Sequence, residues 1–480
     1  MLEYEILTLN SIHSICNRRV AQELNDDFCY QKEYWIKKRF KKERVVRTVR
    51  MIQSTEAEVH WIHTGLVERA LEILERRGIE YSYESKISEV ECDEPYIKGV
   101  TFRPYQAEAI EKVFEFNRGV IHHSTGTGKS IVLAGIMSAF SQEKILFLVH
   151  TQDLVTQMKT DLLKFFGVKN VGEYTGKTKN IKRITVATIQ SFYKVCEEYK
   201  LYWDVVICDE CHHVNQEEGM YGKVLQTLEA PVKIGTTATL PASEEGKMWL
   251  EALIGPVIHT YDINQAGRDN TLAIPDIEIV PTYAVPPYLL FNQDELITYD
   301  DKGEEKKPTS YRTVYWNGIV RNLPRNQLIL HKAEQEVKKG RTVLIMVVNQ
   351  QHGKDLIELS SDFDIDPVFV YGHTKKEKRE EIKKSLKNEK LKCAVASVVW
   401  IEGLDIPSLG CVINAASGKS EIKVLQAIGR GLRKTENKDT VKIIDFDDSK
   451  IHTYLGNHFK KRNKIYTDMG WLTKDSDEKE

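Results

Sequence analysis

The sequence has no apolar run long enough to cross a bilayer. Its longest strongly apolar stretches, such as VLIMVV at Val343–Val348, fall far short of the ~20 residues a spanning helix needs. The first twenty residues carry Glu3, Glu5, Arg18 and Arg19 without a long apolar core, so no secretory signal is expected there. Proline and glycine are sparse, 13 and 28 in 480 residues, which excludes collagen-like and low-complexity chains. Neither sign of charge dominates: 68 Lys and Arg face 70 Asp and Glu, a net of -2. Cysteine is thinly spread, with eight residues and a single close pair, Cys208 and Cys211. No second such pair completes a zinc set, so reduced thiols are expected and a metal-thiolate centre is not. The balanced total leaves nucleic acid open, because the local placement of positive charge decides that question.

What is present reads as an ordinary folded chain, 29% charged and 9% aromatic. At about 150 residues per domain, the length predicts roughly three domains. Residues 31–50, QKEYWIKKRFKKERVVRTVR, hold nine Lys or Arg against two acids and interleave Tyr34, Trp35 and Phe40. A helical pattern follows at GLVERALEILERRG, residues 65–78, with Leu66, Ala70, Leu71 and Leu74 on one face and Gly78 as the stop. Beyond Val100 short β-branched runs alternate with helical stretches in two series. The first is 119–123, 144–149, 183–188, 204–209 and 232–237; the second is 342–348, 367–372, 392–399, 410–414 and 440–446. Continuous apolar strands separated by helices predict an α/β fold with parallel sheets covered on both faces. Between the series, Pro275, Pro281, Pro286, Pro287 and the run DDKGEEKKP at 300–308 read as a domain crossing with a surface excursion.

The strongest motif is Ser124-Thr125-Gly126-Thr127-Gly128-Lys129-Ser130, placed after a strand and before the apolar helix IVLAGIMSAF. Two glycines let backbone N–H groups turn toward a phosphate at a helix N-terminus. Lys129 can reach the β and γ phosphates, and Ser130 can ligate magnesium. The full pattern wants glycine at 123, where His123 stands. Some eighty residues on, VVICDECHH puts Asp209 and Glu210 at a strand end. There one carboxylate can hold Mg2+ and its neighbour can polarise the attacking water. His212 and His213 read as a polar link to the next motif, since adjacent side chains diverge. That motif, TTATL, offers hydroxyls at Thr237 and Thr239 to tie the carboxylate loop to the rest of the site.

The second series ends in SVVWIEGLDIP (397–407) and QAIGRGLR (426–433). Arg430 and Arg433 lie three apart, on one face of a helix. An arginine brought from a separate domain to the γ phosphate stabilises transition-state charge and makes hydrolysis depend on closure. Gly429 and Gly431, each costing about 1 kcal/mol inside a helix, imply that something approaches that backbone closely. Asp405 sits in a turn between Gly403 and Pro407.

Taken together, FRPYQ (102–106), STGTGKS, DECHH, TTATL, EGLDIP and QAIGRGLR resemble a superfamily 2 helicase of the DEAH/DExH type over roughly residues 100–450. The resemblance implies two RecA-like parallel-sheet motor domains in tandem, with a small α+β N-terminal domain before them. The expected divisions are 1–95 (small, basic, nucleic-acid-binding), 96–270 (first motor, ATP-binding), 271–465 (second motor) and 466–480 (polar tail). It implies ATP and Mg2+ as cofactors, with Arg103, Gln106, Thr125, Gly126, Thr127, Gly128, Lys129, Ser130, Gly403 and Asp405 around the nucleotide. Ser130 and Asp209 would hold the metal; Glu210, Lys129, Arg430 and Arg433 would serve hydrolysis. His212, Thr237, Thr239 and Gln426 would couple it to movement of the strand. FRPYQAEAI, NRGVIHHSTGTGKS and ASGKSEIKVLQAIGRGLRK are also similar to the phage UvsW branch-migration helicases and the RadD and XPB group. The second His of DECHH and Trp400 depart from the commonest pattern without removing a group needed for hydrolysis.

In such motors one strand crosses both domains. Thr151 and Gln152 in HTQDLVTQ, Thr188 and Gln190 in TIQSF, Gln350 in NQQHGKD and His373 in YGHTKK are the expected backbone contacts. Lys37, Lys38, Lys41 and Lys42 would add electrostatic grip, as would FKKRNK at 459–464. No motif reads base sequence, so the expected partner is forked, branched or duplex DNA, and DNA over RNA rests on the resemblance alone. An RNA-dependent remodelling ATPase and a duplex translocase that does not separate strands remain alternatives. The resemblance further implies a monomeric or weakly self-associating chain in the cytoplasm (the host's, if phage-encoded), with no membrane partner and with phage replication or recombination proteins as possible partners.

Overall fold

Alternating runs of apolar residues build the sheets at nearly the positions the sequence predicts. The computed structural model describes residues 4–38, 41–269, 271–282, 298–299, 305–306, 310–397, 406, 408–418 and 439–472. The chain divides into two compact units; Met1–Ser124 with Gly128–Asp262 forms one, and Ile263–Glu480 belongs to the other.

The first unit opens with a five-stranded sheet built from β1 (Tyr4–Thr8), β2 (His13–Cys16), β5 (Gln53–Ser54), β6 (His60–His63) and β7 (Tyr81–Ser85), in the order β5-β6-β2-β1-β7. The predicted helix is present at Val67–Arg76, burying Val67, Ala70, Ile73 and Leu74, and Gly78 takes φ 67° just beyond it. The basic run forms neither helix nor loop. It is a β-hairpin, β3 (Cys29–Lys38) and β4 (Lys41–Arg50), paired along its whole length. Its base is tied to the helix Glu244–Leu253: Trp249 Nε1 donates to the Tyr30 hydroxyl at 3.0 Å, and Lys32 meets Glu245 at 2.7 Å. Farther out, Tyr34, Ile36 and Val46 are 40%, 41% and 51% exposed, so both faces of the hairpin stand in solvent.

The larger sheet of this unit comprises β8 (Arg118–His123), β9 (Ile145–Val149), β10 (Val171–Tyr174), β11 (Lys179–Asn180), β12 (Ile184–Thr188), β13 (Val205–Asp209), β14 (Val232–Thr237) and β15 (Val257–Tyr261). Its order is β11-β10-β12-β9-β13-β14-β8-β15, parallel except where β11 joins β10. Residues of β9 and β12 are buried throughout, as expected for strands covered by helices on both faces. Cys208 and Cys211 are core thiols, both pushed well up from the usual thiol range by burial.

In the second unit the order is β16-β23-β22-β19-β21-β20, all parallel. The strands are β16 (Ile274–Pro281), β19 (Thr342–Val347), β20 (Val368–Val370), β21 (Cys393–Ser397), β22 (Leu409–Asn414) and β23 (Thr440–Asp447); β17 (Thr298–Tyr299) and β18 (Glu305–Lys306) form a separate small pair. The proline-broken stretch read as a domain crossing thus contains a sheet strand. Ile274 and Thr282 donate their N–H groups to Asp439 and Asp447 of the neighbouring chain segment. Pro275 and Pro281 therefore occupy the alternate positions, whose nitrogens face away from β23 at the sheet edge, where a missing donor is harmless.

The end of the chain also differs from expectation. Helix Thr453–Asp468 runs through FKKRNK, and Arg462 within it is fully buried, paired with Asp445 at 2.7 Å. Arg462 is thus unavailable to a phosphate, and only Lys460, Lys461 and Lys464 of that run face solvent. No helix among the described residues is long and apolar enough to cross a membrane.

Candidate functional site

In the first unit β8 and β9 follow one another in the chain, yet β14 and β13 lie between them in the sheet. This crossover brings three motifs to the C-terminal ends of adjacent parallel strands, the position where open α/β sheets place their ligands. The phosphate-type loop leaves β8, Thr237 ends β14, and Asp209 ends β13. Register pairs Asp209 with Thr236 and Thr237 with His122.

Gly126 and Gly128 adopt φ 89° and 84°, the left-handed region where a side chain is strained. Gly128 caps the helix Lys129–Ala139, and a Cβ there would lie 2.8 Å from Gln106 Nε2. The Gln106 amide therefore borders the loop, while its oxygen accepts the Arg103 N–H at 3.0 Å. Arg103 Nη1 lies 3.5 Å from the Tyr105 hydroxyl, and Tyr105 stacks on Tyr261 with centroids 3.7 Å apart.

His123 fits in place of the first glycine of the usual loop pattern for a visible reason. It is still the last residue of β8, its φ is not positive, and its buried ring bonds His259 at 2.7 Å. Its carbonyl accepts Lys129 Nζ at 3.0 Å.

Asp209 Oδ1 accepts the Thr236 hydroxyl at 2.7 Å and the Glu210 N–H at 2.9 Å. Burial first, then the Glu210 carboxylate, raises the Asp209 pKa above the ordinary carboxylate range; Lys129 and Thr236 pull it back. Glu210 holds φ 50°, a strained conformation for a non-glycine residue at the head of the short 3-10 turn Cys211–His213. His212 Nδ1 sits 3.0 Å from the Thr237 hydroxyl and 3.4 Å from Glu210 Oε2, and the Thr237 hydroxyl donates to the Thr239 carbonyl at 2.8 Å. His212 is thus hydrogen-bonded to Thr237, with the Glu210 carboxylate alongside. Sequence reading picked Thr237 and Thr239 but missed Thr236, which touches the carboxylate; the signal available was its place at the end of the strand beside Asp209.

Two crowded carboxylates beside a lysine and a glycine cradle at a helix N-terminus suit a triphosphate with a divalent cation. Asp209 and the helix-start Ser130 would be the metal's protein contacts. Among the described residues no group of three or more His, Cys, Asp or Glu forms a separate metal cluster.

The expected strand contacts divide in two. Thr151 caps the helix Gln152–Asn170 by accepting from Leu154 N–H at 3.3 Å; exposed Gln152 lies 3.3 Å from Glu173. Thr188 is buried and donates to Ser191 at 2.8 Å, while Gln190 Nε2 donates to the His150 carbonyl at 2.9 Å. Thr188 thus bonds within its own segment, and exposed Gln190 ties that segment to the His150 loop. Gln350 and His373 are exposed after β19 and β20, at the C-terminal edge of the second sheet. The hairpin charge is less isolated than its sequence suggested. Arg44 Nε donates to Glu33 at 3.1 Å, and Lys32 is held by Glu245. The side chains of Lys37, Lys38, Lys41 and Lys42, and all of Gly403, Asp405, Gln426, Arg430 and Arg433, lie outside the described residues.

Tandem parallel sheets with these strand-edge motifs define a two-motor, RecA-like architecture. Residues 99–242 match the family described as type III restriction enzyme, res subunit, and residues 325–435 match the helicase conserved C-terminal domain. The chain belongs to the superfamily 2 helicases, a family of ATP-dependent DNA helicases and translocases. It is 27% identical over 376 residues to DNA 3'-5' translocase XPB2 of Sulfurisphaera tokodaii, covering 72% of this chain and 81% of that protein. It is 26% identical over 367 residues to ATP-dependent DNA helicase uvsW of Enterobacteria phage T4, covering 72% and 68%. Several other curated relatives are longer, and the match spans 50% to 64% of their length. Among solved structures, yeast Dbp5 bound to RNA and ADP BeF3 shares the fold, with a TM-score of 0.54 at 12% identity over 78% of this chain and 90% of that one.

Proposed function

We propose that the protein is an ATP- and Mg2+-dependent DNA motor that remodels forked and junction DNA. The observation that carries this reading is the exposed hairpin of β3 and β4. Its register sets Lys37 opposite Lys42 and Lys38 opposite Lys41. Like charges directly opposite in a hairpin repel, and a phosphate backbone relieves that repulsion. Fixed at its base to the first motor, the hairpin offers a second duplex arm a contact that a strand-tracking motor lacks. Tyr34 and Ile36 give it exposed apolar surface beside the charge. Two relatives named as DNA enzymes favour DNA over RNA.

In this reading Lys129 and the loop N–H groups hold the β and γ phosphates, and Gln106 with Arg103 borders the base. Ser130 and Asp209 hold the cation, which when bound neutralises phosphate charge. Glu210, beside His212, orients the attacking water and takes its proton. Thr237 and Thr239 relay the state of that carboxylate along the loop, joined by Gln426, Gly403 and Asp405. Arg430 and Arg433 stabilise charge developing on the γ phosphate.

The test is ATP turnover with single-stranded DNA, duplex, fork, Holliday junction and RNA side by side. Greatest stimulation by fork and junction supports the reading. Greatest stimulation by RNA replaces it with an RNA-dependent ATPase, and duplex stimulation with an intact labelled fork replaces it with a non-separating translocase.

A further inference from the structure

Four consecutive residues in the second unit, Ala415–Gly418, are gripped one after another by side chains from separate elements. Arg325 Nη1, from helix Leu323–Lys338, donates to the Ala415 carbonyl at 3.2 Å. The Tyr315 hydroxyl, from helix Tyr311–Tyr315, donates to the Ala416 carbonyl at 2.9 Å. Arg325 Nη2 donates to Ser417 Oγ at 2.6 Å, and that hydroxyl in turn donates to Asp448. Arg462 Nη1, from the helix near the end of the chain, donates to the Gly418 carbonyl at 3.2 Å. Each guanidinium is neutralised by its own buried carboxylate. Arg325 Nε meets Asp448 at 2.8 Å, while Arg462 Nε meets Asp445 at 2.7 Å; Tyr466 and Asn414 complete the Asp445 shell at 2.8 and 3.1 Å.

This arrangement exceeds what ending β22 requires. Burying an arginine–aspartate pair is close to neutral for stability, since desolvation offsets the Coulomb gain. What two such pairs supply is fixed geometry: rigid forks whose spare N–H groups hold the turn. Ser417 has φ 49°, a left-handed conformation that a non-glycine residue keeps only when its surroundings impose it. Burial also raises the Tyr315 phenol pKa, so it stays a donor at any working pH. In the sequence Gly418 is followed by residues 419–438, which carry Arg430 and Arg433.

We propose that Arg325, Arg462 and Tyr315 are positioning residues, which fix the Ala415–Gly418 turn and so set the point and direction from which the arginine-bearing segment departs. The inference rests on the reading that Arg430 serves hydrolysis. Neither buried arginine would contact ATP; each would act through the turn.

The test uses Tyr315→Phe, Arg325→Gln and Arg462→Gln, each alone and combined with Arg430→Ala, with DNA-stimulated kcat, KM for ATP and thermal midpoint measured together. Tyr315→Phe removes one hydroxyl and keeps the ring, so it tests the idea even where a buried arginine variant fails to fold. It should lower kcat at least about threefold with KM within about twofold and the midpoint within about 2 °C. On the Arg430→Ala background the further loss should be under about 1.5-fold, because the arginine it positions is already gone. A wild-type kcat for Tyr315→Phe, or losses that multiply with Arg430→Ala, overturns the proposal. If Arg430→Ala itself hydrolyses at the wild-type rate, the hydrolytic reading of that residue falls and takes this inference with it. If Arg430→Ala is slow while Tyr315→Phe is not, the positioning claim alone is overturned.

Discussion

Thr236 donates its hydroxyl to Asp209 Oδ1 at 2.7 Å across two neighbouring parallel strands whose register sets the two residues side by side. The carboxylate is thereby aimed before any cation arrives, and its charge is partly offset by a hydroxyl and by the Lys129 ammonium. Thr236→Val keeps the shape and removes the donor. It should raise the Mg2+ concentration needed for half-maximal ATPase about threefold to tenfold while leaving saturated turnover within about threefold. An unchanged Mg2+ dependence would return Thr236 to an ordinary strand residue.

Lys129→Ala and Glu210→Gln should fail in different ways. Without Lys129, ATP binding is weakened and stimulated turnover falls below about a tenth of wild type, with fork binding retained. Glu210→Gln should bind ATP about as tightly as wild type and turn it over at least about a hundredfold more slowly. Equilibrium binding of a fluorescent ATP analogue separates the two; equal loss of affinity in both variants would remove Glu210 from the catalytic role.

Most of the framework was legible in the sequence, because strands buried on both faces leave long β-branched runs and the phosphate loop has a fixed relation to its strand. The parts that were not legible share a cause: their character depends on a neighbour distant in sequence. Ile274–Pro281 has the prolines of a linker, and only an edge position facing β23 makes them tolerable. FKKRNK has the composition of a solvated stripe, yet Asp445 turns Arg462 inward. The basic run of residues 31–50 gave no clean alternation, since a hairpin exposed on both faces has no buried side to write one.

For that hairpin, replacing Lys37, Lys38, Lys41 and Lys42 with Ala should leave ATPase on long single strands within about twofold. Fork and Holliday-junction affinity should fall at least about tenfold, or about 1.4 kcal/mol, with a shallower salt dependence. Binding isotherms at several salt concentrations distinguish the outcomes. Equal loss on every substrate means general backbone grip, and no loss on any means a solubilising surface.

Acid should loosen the fold before carboxylate chemistry explains it. Burial above all pushes the His63, His123 and His352 pKa values down to about 3 from an ordinary 6.5. These folded-state values are depressed, so their stabilising contribution is complete above pH 6.5 and is lost progressively as pH falls toward 3. Between pH 6.5 and 5 each should cost about 1–2 kcal/mol. Denaturant titrations at pH 7.5, 6 and 5 check this; constant stability across that range contradicts it.

The central claim, that ATP hydrolysis drives remodelling of branched DNA, is tested most directly on a labelled mobile Holliday junction. Wild-type protein with ATP and Mg2+ should convert the junction to its branch-migrated products. Glu210→Gln at the same concentration should bind the junction and leave it intact. Wild-type protein that hydrolyses ATP on this substrate yet leaves the junction unconverted would contradict the account.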